Sequence, residues 1–130
     1  MKKAFTIILL TLLISTISAQ QFSQKKIEGT WNTTAVLSND KEVSGIFKQA
    51  VFIFTPDGKA LIKLNEPLKH KDFSSMFKNV SWFFDKKKSI IKIGNKADQY
   101  SIMGIKLQEI NNKTQFVLLE ANVTLVVEKQ

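Results

Sequence analysis

The chain of 130 residues contains no cysteine. That removes disulfides, thiolate nucleophiles and thiolate metal sites. It also closes the lipid-anchored route of bacterial export, which attaches its lipid to a cysteine. An exported protein of this size must then be held by its core alone. Arginine is absent as well: all 19 cations are lysine, set against 11 acidic residues. Arginine is the preferred residue for bidentate phosphate and base contacts, so this basic chain is poorly equipped for specific nucleic-acid reading. Histidine is reduced to His70 alone. It sits in Lys69-His70-Lys71, where two ammonium groups discourage a metal cation, and reads as a solvated loop residue. No paired histidines, no glycine-rich phosphate loop and no activated-serine motif occur. The carboxylates are scattered along turns and strand edges, without a pair for acid–base work. The sequence therefore offers no catalytic residues, no metal ligands and no cofactor motif, and it is read as a non-enzyme.

The start of the chain is what is plainly present. Met1-Lys2-Lys3 is positive, Ala4 to Ile17 is almost unbroken apolar sequence, and Ser18-Ala19 precedes polar Gln20-Gln21. This is the layout of a cleavable signal peptide, and the apolar run is short for a membrane span. Residues 1–19 are assigned to the signal and 20–130 to one domain, exported to the periplasm or the medium, with no transmembrane segment in the mature chain. Without Lys2 and Lys3 the net charge of +8 falls to +6. Much of that follows from a composition rich in Lys, Asn and Ile. The rest invites attraction to anionic envelope polymers or lipid headgroups.

About 110 residues make one modest core. Their pattern is strand and turn. Gly29 to Leu37 alternates Trp31, Thr33, Ala35 and Leu37 against Asn32, Thr34 and Val36. Ala50 to Thr55 and Lys59 to Asn65 flank Pro56-Asp57-Gly58, a turn in which Pro presets φ and Gly supplies positive φ. Asn79 to Asp85 puts Val80, Trp82 and Phe84 on one face, turns at Lys86-Lys87-Lys88 and returns over Ser89 to Ile93. Gln99 to Ile110 reads as a long strand, bulged at Gly104 where its apolar parity shifts. Gln115 to Glu120 and Val123 to Lys129 complete eight strands. Joined by short turns, they predict an all-β, antiparallel up-and-down barrel, which leaves no exposed sheet edge. Phe73, Met76 and Phe77 have the spacing of a short helix near 70–78. No other segment reads as an amphipathic helix.

With the strands placed, the mature chain resembles the bacterial, Bacteroidetes-type lipocalin-like domains. The resemblance rests on Ile27-Glu28-Gly29-Thr30-Trp31 and on Phe52-Ile53-Phe54-Thr55-Pro56-Asp57-Gly58-Lys59. It continues in Val80-Ser81-Trp82 with Ile90-Ile91-Lys92-Ile93, and in Tyr100-Ser101-Ile102 with Leu125-Val126-Val127-Glu128-Lys129. It implies a barrel with an apolar interior and a Trp packed near its closed end, with Gly29 and Trp31 as the structural motif. The wider lipocalin pattern places a late arginine over that Trp. Here Lys129 or Lys92 must substitute, or apolar groups alone cover the ring.

Two functions follow. In the first, a small hydrophobic molecule or lipid occupies the interior without catalysis, lined by Phe52, Phe54, Trp82, Phe84, Tyr100 and Phe116. In the second, those aromatics are packed core, and the barrel is a scaffold for a cell-envelope protein partner. The second is motivated by strands that are apolar on both faces: Val51 to Phe54, Phe116 to Leu119 and Leu125 to Val127.

Overall fold

The computed structural model describes residues 22–64 and 80–130. Eight strands form a closed barrel in simple chain order, each antiparallel to the next, with the last returning to the first. They are β1 (Gly29–Leu37), β2 (Val51–Phe54), β3 (Lys59–Lys63), β4 (Val80–Asp85), β5 (Ile90–Gly94), β6 (Met103–Ile110), β7 (Lys113–Leu118) and β8 (Val123–Lys129). Among the described residues two short α-helices, α1 (Gln24–Ile27) and α2 (Lys41–Phe47), and a 3-10 turn at Lys96–Asp98 accompany them. The all-β, up-and-down architecture expected from the strand–turn rhythm is the observed one.

The turns are built as their residues dictate. Gly58 takes a φ of 87°, and its amide donates to the Thr55 carbonyl at 3.1 Å, closing the β2–β3 hairpin. Asn111 and Asn112 both adopt positive φ between the paired Ile110 and Lys113. A two-residue hairpin loop that matches strand twist demands this, and Asn tolerates it best after glycine. At the β4–β5 turn the Asp85 carboxylate accepts from the Lys88 amide at 3.3 Å.

Alternation sorts the side chains cleanly in most strands. Phe52 and Phe54 point in, while Val51 and Ile53 stay half-buried outside. Ala60 and Ile62 of β3, and Val80, Trp82 and Phe84 of β4, are buried as their parity predicts. These residues join Ile91, Ile93, Ile105, Phe116, Leu118, Leu125 and Val127 in one continuous core.

The sequence reading needs correction in three places. First, β1 does not alternate throughout. The register against β8 shifts between Thr33 and Ala35, leaving Thr34 as an extra residue whose hydroxyl donates to the Val126 carbonyl at 3.2 Å. Beyond this bulge the inward face passes to Val36, which packs on the core, while Ala35 and Leu37 are exposed. Second, no bulge occurs at Gly104. The β5–β6 register runs evenly from Ile93↔Met103 to Ile90↔Lys106. The apparent parity shift arose because Gln99 to Ile102 is not strand: Gln99 and Tyr100 both lie in the left-handed region. Third, the Ser38 to Gln49 connection holds α2, where no helix was expected. Asp40 caps it, accepting from the amides of Glu42 and Val43, and Phe47 is buried while Val43 and Ile46 pack on the core. The helix expected near 70–78, and His70 with it, lie outside the described residues.

Candidate functional site

The barrel interior is the place where cargo would sit, so its occupancy decides the site. Five of the six predicted lining residues converge there. Phe116 on β7 is the hub. Its ring lies 5.4 Å from Trp31, 5.3 Å from Phe52 and 6.4 Å from Phe54, and Phe54 in turn lies 5.2 Å from Trp82. These tilted and edge-on contacts are the geometries aromatic quadrupoles favour. Phe52 and Phe116 are 0% exposed and Phe54 1%. No water-sized space therefore lies against those rings, from the solvent or from an internal void. Trp82 is 2% exposed and Phe84 8%. The Trp82 indole N–H donates to the Thr55 carbonyl at 3.0 Å, so its one polar atom is satisfied by backbone. The sixth residue, Tyr100, is not brought to the interior. Two successive left-handed residues carry it outside the barrel, where its ring meets Phe83 edge-on at 4.7 Å.

Both ends of this aromatic column are covered. At one end α1 precedes β1. Ile27 is fully buried, and its carbonyl accepts the Trp31 indole N–H at 2.8 Å. The Lys129 ammonium donates to the Lys26 carbonyl at 2.6 Å and lies 5.8 Å from the centroid of the Trp31 ring. Register explains the placement. Lys129 pairs directly with Trp31 across β1 and β8, two residues past inward-facing Val127, so its stem curls over the mouth. Of the covers considered for the Trp, Lys129 supplies the cation. Lys92 stands on the wall, paired with Phe83 and Gly104. At the other end α2 lays Phe47 into the core beside fully buried Ala50. Phe47 went unnoticed in the sequence, although Val43, Ile46 and Phe47 have helical spacing behind the capping Asp40.

Among the described residues, one buried side-chain polar atom is unmatched. The Thr33 hydroxyl, buried beside the β1 bulge, has no hydrogen-bond partner. Among the titratable groups of the described residues, Asp57 is held clearly below the usual carboxylate range. The Thr55 hydroxyl donates to it, and the Lys59 amide and charge add to the effect. Asp57 is a fully exposed turn residue, and its neighbours explain it as turn chemistry.

Concavities exist on the outside. One, about 460 Å³, lies between α2 and β1, bordered by Thr34, Ser38, Lys41, Ser44, Gly45 and Lys48. Another, about 340 Å³, lies beside the covered Trp31 end and is lined by Asn112, Thr114, Glu128 and Lys129 among others. Apolar side chains also reach solvent, with Leu37, Leu61, Ile110 and Leu119 the most exposed.

Searches of protein-family models, of curated proteins and of solved structures found nothing that matches this chain.

Proposed function

We propose that this protein is a non-catalytic, exported barrel whose filled interior is a rigid scaffold and whose outer surface meets a partner in the cell envelope. The observation that carries this reading is the ring-to-ring packing of Trp31, Phe52, Phe54, Trp82 and Phe116 without water-sized space between them. Pockets for small molecules occupy several hundred Å³; concavities of about 340 and 270 Å³ border Trp31 at its covered end, while Phe52, Phe54 and Phe116 are at most 1% exposed. The surplus apolar positions sit outside instead. Ile53 pairs with Leu61 across β2 and β3, and Leu119 projects from the end of β7. The charged start, apolar run and small residues before Gln20 support export. The Lys129–Trp31 stack supports the resemblance to lipocalin-like domains, with lysine standing where the wider pattern has arginine.

A second reading keeps a small apolar molecule or lipid in the interior. One feature favours it: among the described residues, the cover at the α2 end is one helix of seven residues, whose buried ring is Phe47. Cargo would have to displace that ring. Organic extraction of the purified protein followed by mass spectrometry separates the two. The scaffold reading expects no apolar molecule in stoichiometric amount. One lipid or small hydrophobe per chain would overturn it in favour of cargo.

A further inference from the structure

The groove between α2 and β1 is more than a gap between packed elements. The helix has two working faces. Val43, Ile46 and Phe47 face the core. Lys41, Ser44, Gly45 and Lys48 border the groove, at the i, i+3, i+4 and i+7 positions that share the other face. The opposite bank is β1 from Thr34 to Val36, at and just beyond the bulge. The border thus carries two ammonium groups and three hydroxyls, and no carboxylate. Asp40, which precedes Lys41, is committed to capping the helix amides.

Two details resist a purely structural explanation. Lys41 occupies the first helical position, where the helix dipole disfavours a cation. Lys48 at the C-terminal cap is accounted for by the same dipole; Lys41 is not. Gly45 lies inside the helix, where glycine is the poorest residue after proline. A Cβ built there would meet nothing within 4 Å, so packing does not require glycine. Its effect is to keep the middle of the groove open between the lysines.

We propose that this groove binds a phosphate-bearing anion. Lys41 and Lys48 stand about 10 Å apart along the helix axis. Their flexible stems can converge on one diphosphate or hold two neighbouring phosphates. The half-buried Ser44 lines the groove between them. The phosphate can belong to a soluble molecule or to a phospholipid headgroup, and both present the same chemistry to this surface. The site lies outside the barrel, so it stands whether the interior is filled or holds cargo.

The test is a titration of the purified, isotope-labelled protein with pyrophosphate at low ionic strength, read by amide NMR. A parallel arm sediments the protein with vesicles of phosphatidylglycerol or of phosphatidylcholine. Saturable shifts confined to Ser38 and to 41–48 are expected for a soluble anion. Sedimentation with the anionic vesicles alone, without pyrophosphate shifts, assigns the site to a headgroup. In either arm the double variant Lys41→Gln, Lys48→Gln should weaken binding by at least about tenfold, as loss of two charge-assisted contacts implies. The control Lys87→Gln, Lys88→Gln, which removes equal charge at a distant turn, should bind like the parent. All four positions are exposed, so the variants should fold, which a circular dichroism melt checks. Absence of binding in both arms overturns the proposal. So does equal weakening by the control variant, which would reduce the effect to net charge.

Discussion

The Lys129 ammonium lies over the Trp31 ring at 5.8 Å from its centroid and is anchored to the Lys26 carbonyl at 2.6 Å. The cation thereby ties the last strand to the helix that precedes the first. Lys129→Ala removes a cation–π contact and one charge-assisted hydrogen bond at an exposed position. It should cost about 1 kcal/mol, read from urea midpoints at unchanged slope. Lys129→Arg should retain most of the stability. No loss on Lys129→Ala would mean that the apolar neighbours alone secure the Trp.

The two tryptophans should behave alike. Trp31 is 6% exposed and Trp82 2%, and each donates its indole N–H to a backbone carbonyl. Truncating either to alanine should cost about 3–5 kcal/mol, enough to threaten folding in a domain of this size. The stability of each variant by chemical denaturation checks this. A Trp82→Ala variant nearly as stable as the parent would show that its ring borders open space.

Thr33 offers a test of opposite sign. Its hydroxyl is buried without a partner, and valine has nearly the same shape. Thr33→Val should stabilise the fold by about 1 kcal/mol, since an unsatisfied buried hydroxyl carries a desolvation cost of that order. A destabilised variant would mean that the hydroxyl is used by a partner, water or ligand.

Asp57 makes a small contribution to pH dependence. Its pKa is lowered in the fold, chiefly by the Thr55 hydroxyl and then by the Lys59 amide and charge. A lowered carboxylate pKa stabilises the fold above the unfolded value and loses that contribution as pH falls through the folded one. Asp57→Asn should therefore lower the neutral plateau slightly and flatten the acid limb of the stability profile. NMR titration of the carboxyl should give a midpoint below that of an aspartate in an unfolded peptide. A midpoint at or above that value would contradict the hairpin geometry.

The legible parts of the fold were those where one local rule suffices. Pro56-Asp57-Gly58 is a turn whatever surrounds it, and the alternation Val80, Trp82, Phe84 survives in the barrel because β4 is regular. The parts that were not legible depend on tertiary partners. The β1 bulge sits inside a pattern that continues smoothly to Leu37, so only pairing with Val126 and Val127 reveals it. Tyr100 looks like a strand residue until the chain crosses Gly94. There a Cβ would meet the Tyr100 and Ser101 backbone at 2.8 Å. The helix α2 is too short for periodicity to stand out, although Asp40 was a capping signal in plain view. Alternation identifies the face that points inward, which is why Phe52, Phe54, Trp82, Phe84 and Phe116 were found together. It carries no information on whether opposing side chains meet, so filled and hollow barrels read alike.

The filled interior is the central claim, and titration of the parent protein with a neutral apolar fluorophore such as N-phenyl-1-naphthylamine tests it most directly. Emission of Trp31 and Trp82 is followed together with that of the probe. Rings packed at 5.2–5.4 Å with Phe47 seated at the α2 end require that no saturable binding occurs and that tryptophan emission stays unchanged. Saturable one-to-one binding with energy transfer from the tryptophans would contradict the filled scaffold and establish an interior that opens to cargo.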